Sequence, residues 1–142
     1  FDAAVYNEHP YATDPTGTGD VTDTHVRWQT NKSVPHTPSL LLVGEELYMV
    51  SDRGVASCLD ARSGEVHWTD RVDGNYSASP LFANGTIYFQ NEEGGGTVIE
   101  AGKQFQTLSR NDLGERSLAS YAVGDSALFI RTAGHLYRIE KQ

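Results

Sequence analysis

Residues 60–68 read Asp60-Ala61-Arg62-Ser63-Gly64-Glu65-Val66-His67-Trp68, or DARSGEVHW. An acidic residue opens a turn, Ser63-Gly64 closes it, and a short alternating strand runs from Glu65 to Trp68. A single copy of this pattern indicates one hairpin, whereas a repeated copy indicates a repeat architecture. The first question is therefore whether the pattern recurs.

The stretch belongs to a unit that recurs with a period of about 40 residues. The aligned segments are LYMVSDRGVASCLD at 47–60, IYFQNEEGGGTVIE at 87–100 and, one residue shorter, LFIRTAGHLYRIE at 128–140. Three kinds of landmark keep the spacing: Gly54, Gly94 and Gly134; Ser39, Ser79 and Ser120; and the aromatics Trp28, Trp68 and Phe105. Such agreement indicates a threefold array.

Each unit has the pattern of four short strands. In the middle unit these are expected at 78–83, 87–91, 97–100 and 104–109, with Asn84-Gly85 favouring a tight type I′ hairpin between the first two. No segment shows a helical period over ten or more residues. The sequence therefore predicts an all-β chain of about three four-stranded antiparallel β-propeller blades, an arc of a larger propeller.

The predicted organisation has two parts, an irregular lead-in at 1–24 and propeller repeats at 25–142. The lead-in is rich in Pro, Gly, Asp and Thr. Val26 to Trp28 is expected to be the outer strand of a preceding blade, and the last unit ends after its third strand at Glu140. Because propellers close with four to eight blades, we expect either the C-terminal part of a larger propeller or self-association that closes the ring.

The motifs resemble the PQQ-like (pyrroloquinoline-quinone-type) β-propeller repeat family. That family's unit carries a Gly after the second strand, an apolar–acidic pair, and a D-A-x-T/S-G-E-x-x-W turn and strand. Gly54, Leu59-Asp60 and the 60–68 stretch match this pattern. The later units match less closely, because Glu100-Ala101-Gly102 reads as a shortened turn and Phe105 as the replacement for Trp.

The resemblance implies two kinds of function. Quinone-dependent dehydrogenases of this fold use PQQ with calcium, a catalytic Asp and a vicinal disulfide, but the single Cys58 excludes that disulfide here. We therefore expect no cofactor and no catalytic residue. The leading hypothesis is a non-enzymatic scaffold that binds a protein or small ligand, resembling bacterial envelope proteins such as the outer-membrane assembly lipoprotein. The alternatives are a fragment of a quinone-dependent dehydrogenase and the sensor propeller of a larger protein such as a kinase.

Composition excludes several other classes. A net charge of −8 with scattered Lys and Arg argues against nucleic acid. No stretch reaches 18 apolar residues, so no membrane span is expected. The five histidines lack ligand spacing and no metal site is predicted. A periplasmic, envelope or secreted location follows from the resemblance.

Symmetry suggests where a ligand or partner would bind. Loops that enter the innermost strand of each blade gather around the channel mouth. The equivalent positions, three residues before the repeated serines, are His36, Tyr76 and Ser117. We expect these three to be the channel-mouth binding positions.

Overall fold

The computed structural model describes residues 2–6 and 9–140, and it contains four antiparallel sheets. The first sheet holds β1 (Asp2–Tyr6), β2 (His9–Thr13) and β3 (Val26–Gln29), with a single helical turn, α1 (Thr22–His25), before β3. The second sheet holds β4 (Leu41–Val43), β5 (Glu46–Val50), β6 (Val55–Asp60) and β7 (Val66–Arg71). The third holds β8 (Leu81–Ala83), β9 (Thr86–Gln90), β10 (Gly95–Glu100) and β11 (Thr107–Asp112). The fourth holds β12 (Ala122–Gly124), β13 (Ala127–Arg131) and β14 (Leu136–Glu140).

In every sheet each strand pairs with the strand that follows it, so each sheet is a simple meander. The second and third sheets have the four strands expected of a blade. The fourth ends after its third strand, and β3 lies at the edge of the first sheet, as the sequence predicted. The all-β arc of blades is confirmed.

The turn at 60–65 explains the recurring acidic residue. The Asp60 carboxylate accepts hydrogen bonds from the backbone N–H of Arg62 at 3.0 Å and of Ser63 at 2.8 Å, and from the Ser63 hydroxyl. Gly64 adopts a φ of 74°, and a Cβ there would lie 2.7 Å from the indole of Trp28. The turn is therefore shaped both by its own carboxylate and by the tryptophan of the preceding sheet.

Near their outer strands, neighbouring sheets are joined by an indole hydrogen bond. Trp28 Nε1 donates to the carbonyl of Ala61 at 3.0 Å, and Trp68 Nε1 donates to the carbonyl of Gly102 at 3.0 Å. Each acceptor lies in the turn between the third and fourth strands of the next sheet. The aromatic ring thus packs between blades while its one polar atom is satisfied.

Just before their innermost strands, the sheets are joined by a ladder of serines. The backbone N–H of Ser39 donates to Ser79 Oγ at 2.9 Å, and the N–H of Ser79 donates to Ser120 Oγ at 2.9 Å. The serines recur at spacings of 40 and 41 residues because each pair makes the same contact between neighbouring sheets. Blades are held at both their inner and outer ends.

The main core lies between the second and third sheets. Most of its side chains are under 5% exposed, and Trp68 is 9% exposed. The cluster consists of Tyr48, Val50, Ala56, Cys58, Trp68, Val72, Tyr76, Ile87, Phe89 and Ile99. Neither sheet can bury both faces alone, so this interface supplies the burial that a single blade lacks.

The expectation that residues 1–24 are irregular is wrong in part, because β1 and β2 form a hairpin that pairs with β3. Most of the Pro, Gly and Asp residues that suggested irregularity belong to the connection after β2. Pro10 also argued against a strand at the position of β2, since proline is rarely found within a central strand. Phe1, residues 7–8 and residues 141–142 lie outside the described residues, so the proposed division into two parts remains a prediction.

The equivalence of Phe105 with the two tryptophans is also wrong. Cys58 pairs with Trp68 next to a bulge, and Val98 pairs with Ser109 at the same place, so Ser109 takes the tryptophan position. The preceding turn is longer, not shorter: Glu100 N bonds to Gln106 O, whereas Asp60 N bonds to Glu65 O. Phe105 still packs against Trp68, with the two ring centroids 5.0 Å apart in an edge-to-face arrangement.

Replacing Trp68 with Ala should lower the free energy of unfolding by about 3–5 kcal/mol, because it empties the core between two sheets. Chemical denaturation measures this loss. Trp68→Phe, which keeps a ring but loses the bond to Gly102, should cost less. A loss below about 1 kcal/mol for Trp68→Ala would contradict the assignment of this interface.

Gly54→Val should lower the melting temperature more than Gly85→Val. Both glycines have positive φ, which costs a side chain about 1–2 kcal/mol. At Gly54 an added Cβ would also meet the carbonyl of Val72 and lie 2.7 Å from that of Gly74, whereas the space at Gly85 is open. Equal melting of the two variants would show that close packing at this turn is unimportant.

Candidate functional site

The blades have two ends with different chemistry. One end carries the tight hairpins at 44–45, 84–85 and 125–126. The other, called here the loop end, carries the turns at 51–54, 91–94 and 132–135 and the long loops at 30–40, 72–80 and 113–121. Loops held by a rigid scaffold are the usual location of binding residues, so the loop end is the candidate site.

The three predicted binding positions lie in successive loops of this end but differ in burial. His36 is exposed. Tyr76 is 1% exposed and its hydroxyl donates to the carbonyl of Asp73 at 3.1 Å. Ser117 is 2% exposed and its hydroxyl donates to the carbonyl of Arg131 at 2.8 Å. Tyr76 and Ser117 therefore anchor their loops, and a binding role for the three positions stays a prediction.

Carboxylates fix the first two loops. The side chain of Asp52 accepts from the backbone N–H of His36 at 2.7 Å, while its carbonyl accepts from Tyr76 N at 2.9 Å. Glu92 repeats the arrangement: its carboxylate accepts from the Ser77 hydroxyl and its carbonyl from Ser117 N at 3.1 Å. Each of these turns thus holds the loop of its own blade and the loop of the next.

The charge on Asp52 is stabilised by these contacts. Desolvation of the carboxyl opposes ionisation, but hydrogen bonds from the His36 amide and the Thr37 hydroxyl outweigh it, and the pKa of Asp52 falls below its usual value. The loop that carries His36 is therefore fastened by a carboxylate that remains charged at neutral pH.

The third loop is held by the reverse arrangement. The turn of the fourth sheet is closed by a bond from Thr132 N to the His135 carbonyl, one residue shorter than the Ser51–Val55 and Asn91–Gly95 turns, and it supplies no carboxylate. Instead Glu115, in the loop, accepts from Thr132 Oγ1 at 2.7 Å, from Gly134 N at 2.6 Å and from His135 Nδ1 at 2.8 Å. The Thr132 and His135 hydrogen bonds lower the pKa of Glu115. The loop and the turn of the fourth sheet are therefore joined as in the two preceding sheets, but here the loop supplies the acceptor and the turn supplies the donors.

Ion pairs add to the polar character of the loop end. Arg110 pairs with Asp73 at 2.8 Å, and Arg116 lies 3.8 Å from Glu92. All four residues are at least partly exposed, so the pairs contribute little stability. They leave a mixed-charge surface suited to a polar partner.

Groups that would indicate catalysis are placed unfavourably. The Cys58 side chain is 0% exposed, and burial raises the pKa of its thiol to about 11, so a reactive thiolate is not present at neutral pH. Within residues 2–6 and 9–140, no three His, Cys, Asp or Glu side chains converge as a metal-binding group. In the same residues no helix has the length and apolar character needed to cross a membrane.

Sequence reasoning missed the residues that organise the loop end. Asp52 and Glu92 each stand two residues before a turn glycine, and this repeated acidic position was an available signal. Glu115 gave no such signal, because it lies outside the matching segments and acts only through the folded contact with the last turn.

Four sheets linked face to face in order, each a meander and each joined to the next by equivalent contacts, define this protein as an arc of a β-propeller. The family model described as outer membrane protein assembly factor BamB matches residues 17–142. The chain belongs to this BamB-like family of PQQ-like repeat proteins, which confirms the resemblance seen in the sequence. No curated protein sequence matches it.

Solved structures agree on the fold. BamB from Moraxella catarrhalis superposes with a TM-score of 0.64 at 17% identity, covering 94% of this chain and 40% of that one. Quinohemoprotein alcohol dehydrogenase ADHIIG from Pseudomonas putida HK5 gives 0.63 at 16% identity, with 90% and 27% covered. A europium-containing methanol dehydrogenase gives 0.54 at 17% identity, with 78% and 22% covered. The chain therefore spans less than half the length of each.

Glu115→Gln should destabilise the protein at pH 7 and have a much smaller effect at pH 3. A carboxylate with a lowered folded pKa contributes stability above its ordinary pKa of 4.5, and this is lost as the pH falls through the folded pKa. Thermal melting at both pH values measures the difference. Glu65→Gln, at an exposed position of the opposite end, is the control. An equal Glu115→Gln effect at both pH values would show that the charge does not hold the turn.

Proposed function

We propose that this chain is part of a non-enzymatic β-propeller scaffold of the bacterial cell envelope that binds a protein through its loop end. The observation that carries the proposal is the double attachment of the loops. Each is bonded to the turn of its own blade, and those of the third and fourth sheets also to the turn of the preceding sheet, so the loop surface is rigid. A preorganised surface loses little conformational entropy on binding.

Membership of the BamB-like family supports the proposal and suggests the class of partner. The family description names an outer membrane protein assembly factor. By analogy we propose that the partner is a protein component of outer membrane protein assembly, met in the periplasm. Because folds of this kind host unrelated activities, the analogy supports the partner class and the loop geometry supports the location.

The alternative is a quinone-dependent dehydrogenase, which the two dehydrogenase structures favour. Such an enzyme needs carboxylates free to bind calcium under the quinone. At the loop end the carboxylates of Asp52, Glu92 and Glu115 are instead committed to backbone and hydroxyl donors. This commitment of the three carboxylates supports our proposal that the described part of the chain holds no such cofactor.

Site-specific photo-crosslinking in a bacterial host tests the proposed function. A photoreactive residue placed at His36 or at Arg116, both exposed at the loop end, should give crosslinks to a protein identified by mass spectrometry as an outer membrane assembly component. The same residue at Asn84 or Asp125, exposed at the hairpin end, should not.

Two results would contradict the proposal. Equal crosslinking from both ends would show that the loop end is not the binding surface. Dye-linked alcohol oxidation that appears when PQQ and calcium are added to the purified protein, and that is absent without them, would favour the dehydrogenase instead.

A further inference from the structure

The interface between the third and fourth sheets contains a cavity. Its volume is about 440 Å³, within the range of roughly 300–1,000 Å³ found for small-molecule sites. The third sheet contributes Tyr88, Val98 and Ser109 to the lining, and the fourth side contributes Tyr121, Leu128 and Ile130.

Repeat equivalence explains why the cavity exists. Trp68, 9% exposed, fills the interface between the second and third sheets, and its register equivalent one blade further on is Ser109, which is exposed. Replacement of an indole by a hydroxymethyl group removes most of the volume between the sheets. The opposite walls also differ, since Ile99 is 0% exposed and its equivalent Ile139, on the edge strand of the fourth sheet, is 45% exposed.

The cavity lining contains a polar side chain at a position that is apolar in the filled interface. Val50 of the filled interface corresponds to Gln90, which is 1% exposed, and the Gln90 side-chain oxygen accepts from the Tyr121 hydroxyl at 2.7 Å. The rings of Tyr88 and Tyr121 stand nearly perpendicular, with centroids 6.1 Å apart. No charged side chain belongs to the lining in the described part of the chain.

We propose that this cavity, named here the Ser109 slot, binds an uncharged, planar aromatic molecule of about the size of indole. The shape follows from the space that an indole occupies in the equivalent interface. Two tyrosine rings offer edge and face contacts to such a ligand, and the exposed Ser109 offers a hydroxyl at its rim. The absence of lining charge disfavours an ionised ligand, which would lose hydration without compensation.

The test uses indole itself as the probe. The chain should bind indole by isothermal titration calorimetry, and its melting temperature should rise with indole concentration as expected for a ligand of the folded state. Ser109→Trp should restore the indole of the filled interface and weaken binding by at least about tenfold. The matched control is Leu108→Trp, at the neighbouring exposed position outside the cavity lining, which should bind as the original chain does.

A second measurement uses the unaltered chain, so it does not require any variant to fold. In methyl NMR spectra of the unaltered chain, indole should shift the signals of Leu128 and Ile130 but not that of Ile87, the equivalent of Leu128 in the filled interface. Indole-3-acetate should produce smaller shifts at equal concentration. The proposal is overturned if indole shifts none of these methyls, if it shifts Ile87 equally, or if the anion binds as well as indole.

Discussion

Every sheet of this protein has two faces, and neither can be covered from within the sheet. The constraint that follows is that neighbouring blades must bury each other, and the bonds between them have to set their spacing. Two contacts do this, an indole donating across the interface at its outer side and a serine accepting across it at its inner side. The core between the second and third sheets forms where both contacts and a full set of apolar side chains coincide.

The two ends of the blades differ because those contacts restrain them differently. At the hairpin end, the tight turn at Gly85 faces open space. At the loop end, side-chain carboxylates and backbone carbonyls tie each long loop into the array. Rigidity at the loop end is therefore a product of the stacking itself. The proposed recognition of another protein rests on this rigidity.

Much of the fold could be predicted from residues with fixed local roles. The tryptophans and the serines kept their spacing because each kind of residue makes the same contact in successive blades. Prediction failed where contacts, not local pattern, decide the outcome. Pro10 lies in a strand because its neighbours pair across the sheet, and Ser109 takes the tryptophan place because a one-residue longer turn shifts the register. At the candidate site, His36, Tyr76 and Ser117 were correctly placed in equivalent loops, but their different burial depends on tertiary packing that a spacing argument cannot see.

The exchange at Glu115 has a consequence for how such repeats diverge. In two blades the turn gives the carboxylate and the loop gives the donor, and in the last blade these roles are reversed. The attachment between turn and loop can therefore be made with the carboxylate on either segment, provided that the other segment supplies the donors. Repeats whose residues differ at each single position can then still match when the two positions of a contact are compared as a pair. What repeats in this array is the contact between turn and loop, and not the identity of either residue.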